Sequence, residues 1–251
     1  VTRVAYLDCI GGVAGDMLLA ALVDAGAPRE RLAELPSALG LDGVRVEVTS
    51  TSRLGVSALH VRVVEATAGD PAPRSVADLR GVIEGSGLSA GPKERALSTL
   101  GRVASAEAGV HGVDPQDVRL HELGSVDTLI DLCGTFVLLE TLGVERVVCS
   151  PLPYARGLVE VAHGTLPSPT PAVLAILEGA ALAGVETTAE LVTPTGAAIV
   201  AEACDAWGPL PPMTLERVGY GAGSRDLADR PNVVRVVVGE AVAEARADVV
   251  L

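Results

Sequence analysis

The sequence predicts an α+β or α/β fold, a mixed sheet with packed helices in a single large domain over residues 1–251, and three observations carry that expectation. Runs alternating apolar and polar residues with period two stand beside helix-like runs, without strict β-α repetition. The 251 residues include 49% hydrophobic ones, enough to bury a core without disulfides or a structural metal. No internal repeat and no linker divides the chain. Because aromatic residues make up only 2%, Ala, Val, Leu and Ile must build that core.

In chain order, residues 3 to 10 read as a strand and 15 to 25 as a helix stopped by Gly26, which permits a left-handed C-terminal turn. A short helix over about 28 to 40 follows. VRVEVTS and LHVRVVE, around TSRLG, have the pattern of a hairpin with one wet face. EATAGDPAPR reads as an exposed loop. Helices are predicted over about 75 to 85 and 92 to 109, the latter ending near AGVHG. VDTLIDLCGTFVLLETL, residues 126 to 142, is apolar on nearly every side, which marks a buried helix. VERVVCS and GLVEVA read as strands. In HGTLPSPTPAVLAILEG a proline-rich loop opens a helix with Pro171 in its first turn. ELVTPTGAAIVAEACD is another loop-to-helix junction, and LERVGYGAGSRDLADRPNVVRVVVGE gives two strands around a glycine-rich loop.

Composition excludes several chemistries. The only lysine among 19 Lys and Arg is Lys93, in a polar helix start, so Schiff-base catalysis and a lysine-bearing phosphate loop have no residue to use. A net charge of -13 argues against nucleic acid and is compatible with attracting cations, though an acidic surface also simply keeps a protein soluble. The longest apolar stretch is broken by Asp131, Glu140, Glu145 and Arg146, so no membrane span is expected. Cys9, Cys133, Cys149 and Cys204 form no C-x-x-C pair and no secretory leader precedes the first strand; reduced thiols and a cytoplasmic location are expected.

The stretch YLDCIGGVAGDMLLAALVDAG runs from strand through glycine turn into helix, yet it lacks both the Walker lysine and the dinucleotide spacing. The N–H groups at the helix start remain an anion site. Asp8 and Asp16 flank them and would repel a bare phosphate, which favours a cation or a cation-bridged ligand. Alternatively, Asp16 complements the helix dipole and Asp8 caps the turn.

A second constellation is RLHELGSVDTLID, residues 119 to 131. Ser125 is placed to cap the buried helix, and Asp127 and Asp131, four apart, share one stripe of it. Two carboxylates on an apolar helix need a cation, an arginine or hydrogen-bond donors. His121 and Glu122 lie just before. The pattern is not H-E-x-x-H, since Ser125 stands where the second histidine would be. A ligand site and an internal salt-bridge network both fit. Among the other histidines, His60 reads as a surface residue of the hairpin and His111 as a complement to a helix C-terminus. His163 lies in a rigid irregular loop, a place where function often sits. TPTGAA, residues 193 to 198, offers Thr193, Thr195 and backbone N–H groups as a phosphate cradle. GYGAGSRD, residues 219 to 226, offers flexible backbone followed by Arg225 and Asp226. No G-x-S-x-G elbow appears, so nucleophilic hydrolysis has no positive support.

Taken in order, YLDCIGGVAGDMLLAALVDAG, AEAGVHG, LHELGSVDTLIDLCG, HGTLPSPTPAVLAIL, ELVTPTGAAI and GYGAGSRDLADRPNVVRV resemble the LarC family, the nickel insertion proteins of the lactate racemase cofactor. The resemblance covers nearly the whole chain. It implies a nickel chelatase (a cyclometallase of the lyase class) that inserts Ni2+ into pyridinium-3,5-bisthiocarboxylic acid mononucleotide, in a reaction requiring CTP and Mg2+ or Mn2+. Under it, Asp8, Asp16, His121, Glu122, Asp127 and His163 are the expected metal residues, and His121 or Glu122 takes the ring proton. The helix starts at Gly15 and around Thr193 and Thr195 would receive phosphate, joined by Arg119 and Arg225. Where members often read H-x-H-E, this chain has Arg119-Leu120-His121-Glu122, one ligand fewer and one phosphate contact more. Members also commonly carry a histidine-rich run before the helix at about 75, where this chain has GDPAPRSVADL. The CTP-binding C-terminal half of the family is expected to be absent from this chain. Lactate racemase is the expected downstream acceptor, and a homo-oligomer is expected. Two other readings stay open: a non-catalytic nickel- or precursor-binding module acting with a partner chain, and another metal-dependent hydrolase on the same scaffold.

Overall fold

The computed structural model of the chain describes residues 2–66, 75–115, 118, 120, 124–161 and 164–242. Its elements follow the order β1 (Arg3–Asp8), α1 (Gly15–Asp24), α2 (Arg29–Ala38), β2 (Val44–Arg53), β3 (Val56–Glu65), α3 (Val76–Gly85), α4 (Ala90–His111) and α5 (Val126–Thr141). The second half adds β4 (Arg146–Cys149), β5 (Leu152–Tyr154), β6 (Gly157–Val161), β7 (Gly164–Ser168), α6 (Pro171–Ile176), β8 (Leu182–Gly184), α7 (Pro194–Ala203), β9 (Ala206–Trp207), β10 (Met213–Ala222) and β11 (Val233–Ala241). The predicted mixed sheet is present. Seven strands lie in the order β2-β3-β10-β11-β1-β4-β9, with β1 antiparallel to β11 and parallel to β4.

Local chemistry accounts for the borders. Leu54 and Gly55 both take positive φ, 45° and 81°, the backbone that turns β2 into β3 as a tight hairpin. Ser75 and Asp78 form a reciprocal capping box on α3, and Ser125, Thr170 and Thr193 cap α5, α6 and α7 through their hydroxyls. α4 runs on to His111 and ends at Gly112 in the left-handed conformation, two residues beyond the predicted end.

Alternation along β1 separates two environments. Ala5, Leu7 and Cys9 enter the large core beneath the helices, whereas Val4 and Tyr6 join Val148 and Val237 in a smaller cluster. Asp8, two residues past Tyr6, shares the parity of that second face. α5 runs through the middle of the core; every residue from Thr128 to Leu139 is buried, including Asp131.

The glycine-rich stretch 219–222 corrects one expectation. Gly219 and Gly221 lie inside β10 rather than in a flexible loop, and a Cβ at either would collide with the backbone carbonyls of Ala21 and Met17. These glycines let α1 lie directly on the sheet. The four cysteines are free thiols, with Cys9 Sγ 3.7 Å from Cys149 Sγ in the core. No helix among the described residues is long and apolar enough to cross a membrane.

Candidate functional site

The opening turn is zipped to the start of α7. Val13 N–H donates to the Leu191 carbonyl at 2.7 Å, and Thr193 N–H donates to the Val13 carbonyl at 3.1 Å. Gly12, with φ 112°, backs onto Leu191, and Gly196 backs onto Val13, in both cases too closely for a Cβ. The N-termini of α1 and α7 therefore lie side by side. Their donors are partly engaged already: Thr193 Oγ1 accepts from Gly196 N–H at 3.2 Å, Pro194 has no N–H, and Asp16 Oδ1 accepts from Met17 N–H at 2.8 Å. Thr195 stands half-buried on the same junction.

Against this junction α5 presents its carboxylates. The Asp131 carboxyl occupies the space where Gly15 has no side chain; a Cβ on Gly15 would collide with it. Asp131 is only 8% exposed, and its carboxyl oxygens make no hydrogen bond or ion pair with any described residue. Burial, then the charges of Asp16 and Asp127, push its pKa well above the carboxylate range. Asp16 is also raised, first by burial, with the Met17 N–H and His60 opposing and Asp127 adding to the shift. Asp127 is raised by burial and then by Glu65. The three carboxyl groups thus lie near one another, with Asp131 buried, Asp16 half-buried and Asp127 exposed, and no arginine or lysine is among the causes of their shifts. Repulsion of this kind is relieved by a proton or by a cation.

Several expected site residues are brought together here and others are not. Gly15, Asp16, Asp127, Thr193 and Thr195 meet at the α1–α5–α7 junction. Asp8 does not join them: on the other face of the sheet it pairs with Arg235 of β11, whose Nε lies 3.0 Å from Asp8 Oδ2, and the Nη2 of Arg235 meets the same oxygen. It is not the turn cap that the sequence suggested. Arg225 donates to Glu190 at 2.8 Å and is largely exposed. Arg119, His121, Glu122 and His163 lie outside the described residues. Among the described residues, no group of three or more His, Cys, Asp or Glu is arranged to enclose a metal ion. His60 is half-buried and close enough to favour the Asp16 carboxylate, so it is not the plain surface residue expected. Asp131 was visible as a helix neighbour of Asp127, but only its wedge against Gly15 gives it its place.

A family model described as nickel insertion protein matches residues 5–251. The chain belongs to the nickel insertion family. It is 45% identical over 242 residues to a Geotalea daltonii protein named for nickel insertion, covering 95% of this chain and 61% of that protein. A Thermomicrobium roseum protein of similar name is 48% identical, covering 96% and 59%. A Geobacillus kaustophilus relative, named pyridinium-3,5-bisthiocarboxylic acid mononucleotide nickel insertion protein, is 39% identical, covering 95% and 60%. The chain thus spans about three fifths of the length of these relatives. No solved structure matches it.

Proposed function

We propose that this chain is the nickel- and precursor-binding part of a chelatase that inserts Ni2+ into pyridinium-3,5-bisthiocarboxylic acid mononucleotide. The observation that carries the reading is Asp131, buried with no hydrogen-bonding or ion-pair partner among the described residues, against Gly15 at the start of α1 and near Asp16 and Asp127. His121 and Glu122, immediately before α5, together with His163, complete the set that takes nickel in transit. Asp8 is left out of this set by its pairing with Arg235.

Ligand type explains the direction of transfer. Carboxylate oxygen and imidazole hold Ni2+ less tightly than the two sulfurs and ring carbon of the product, so nickel moves from protein to precursor downhill. Making the metal–carbon bond breaks a ring C–H bond: the carbon keeps the electron pair and binds Ni2+, and the proton goes to Glu122 or His121. CTP with Mg2+ or Mn2+ belongs, on this reading, to the part of the relatives that this chain does not span. Lactate racemase is the proposed acceptor of the product.

The test is to mix the chain with the bisthiolated mononucleotide, Ni2+, Mg2+ and CTP, with and without the remaining part of a full-length relative, and to look for the nickel adduct by mass spectrometry. Adduct formation that persists in Asp131→Asn and Asp127→Asn would overturn the site assignment. The partial span also favours a second reading, a binding module that is inactive alone. Adduct formed by the isolated chain with CTP would exclude it.

A further inference from the structure

The seven-stranded sheet ends in two unequal edges. β9 closes one with only two residues, whereas β2 leaves ten, Val44–Arg53, without a second neighbour among the described residues. Edge strands are commonly blunted by a proline, a bulge or charges that stand against addition. VRVEVTSTSR holds no proline, and its register with β3 runs unbroken from Val44↔Glu65 to Arg53↔Val56. Its charges Arg45 and Glu47 bind each other, Nε to Oε1 at 3.1 Å. Main-chain direction follows from one bond: the Gly43 carbonyl accepts the Ala66 N–H at 2.8 Å, one step beyond the Val44↔Glu65 pair. Alternation then turns the main-chain groups of Arg45, Glu47 and Thr49 toward β3 and those of Val44, Val46 and Val48 outward, where no described backbone group meets them. The side chains of these three valines pack against the main core but stay half-buried, while Val61, opposite Val48 on the next strand in, is only 2% exposed.

We propose that β2 pairs antiparallel with β2 of a second copy of this chain, about a two-fold axis through Val46, joining the two sheets into one. Hydrogen bonding alone leaves the register open, because an axis through any residue of the strand sets outward groups against outward groups. The side chains choose it. An axis at Val46 sets Val46 against the partner's Val46, Val44 against the partner's Val48, and Arg45 against the partner's Glu47 on both sides of the axis. Arg45 and Glu47 then occupy the positions between hydrogen-bonded pairs, where facing side chains stand closest. Moving the axis to Arg45 or to Glu47 puts like charges directly opposite each other, which destabilises a strand pair. Moving it to Val48 sets Val46 against serine and Glu47 against threonine, and leaves both charges unmatched. Little is given up within each copy. Arg45 is 65% exposed in its present pair with Glu47, the kind of surface contact worth least, and Arg62 keeps its own hold on Glu47 at 2.7 Å. The added strand also covers the valine row that β2 leaves half-buried.

The inference concerns assembly and is independent of the nickel reading. Sedimentation equilibrium of the whole chain, without metal or nucleotide, should show a monomer–dimer equilibrium. Arg45→Glu places a carboxylate opposite the partner's Glu47, and Glu47→Arg places a guanidinium opposite the partner's Arg45. Each variant alone should dimerise about ten-fold more weakly than the parent, since both contacts across the axis become repulsive. An equimolar mixture of the two variants should recover the parent's affinity, because every charge then meets its opposite; only folded chains can give that recovery. Val46→Pro, which removes an outward N–H and none from the β3 ladder, should abolish the dimer while the hairpin persists. A parent that stays monomeric, single-charge variants that dimerise as the parent does, or a mixture no tighter than either variant alone would overturn the proposal.

Discussion

Asp131 burdens the empty protein, and the burden has a definite sign with pH. Its pKa in the folded chain lies above its unfolded value of about 3.9, so the folded state holds a proton that the unfolded state releases. The stability it contributes is fully present below about pH 4 and is lost as pH rises through the folded pKa. Asp131→Asn removes that loss. The variant should be more stable than the parent by about 1–3 kcal/mol at neutral to alkaline pH, with little gain near pH 4. Urea denaturation at the two pH values checks this, and a gain of equal size at both would refute it. A divalent cation should stabilise the parent and not the variant. The sequence made Asp127 and Asp131 legible as a costly pair because they stand four apart on an apolar helix. It could not show that Gly15, more than a hundred residues away, leaves the space that Asp131 fills. The same limit hid His60: a period-two pattern places it on a strand face, but what approaches that face is set by packing.

Elements were legible wherever one local signal dominates. The hairpin 44–65 follows from alternation around Leu54-Gly55, and α5 from an apolar run behind Ser125. The run 219–222 was read as loop because glycine signals flexibility in sequence, whereas here it signals close approach of a helix. Gly221→Ala should therefore act through α1: its Cβ would strike the Met17 carbonyl, and overpacking at such a contact costs about 1–3 kcal/mol. Urea denaturation should show that loss together with weaker nickel binding, since α1 carries Asp16. A neutral Gly221→Ala would mean the helix can lift from β10 freely. Thr193 gives a milder case. Its hydroxyl caps Gly196 N–H, so Thr193→Ala should cost about 1 kcal/mol, while Thr193→Ser, which keeps the hydroxyl, should cost much less. Equal losses in the two variants would show that the methyl group, not the cap, is what matters there.

At the scale of the whole molecule, the excess of acidic residues acts on any approaching cation before a single ligand is met. A net charge of -13 surrounds the chain with a negative potential that raises the encounter rate of Ni2+, and dissolved salt shortens its reach from about 30 Å at 0.01 M to about 10 Å at 0.1 M. The association rate of Ni2+ measured by stopped flow should fall at least about three-fold over that range. Neutralising one buried carboxylate tests whether field and site are separate. Asp131→Asn removes one charge unit at most from the total, so its association rate should keep nearly the same salt slope, while dissociation should become faster if Asp131 is a ligand as proposed. If the association rate of the parent proved indifferent to salt, the acidic surface would serve solubility alone, and nickel capture would rest entirely on the corner formed by Asp16, Asp127 and Asp131.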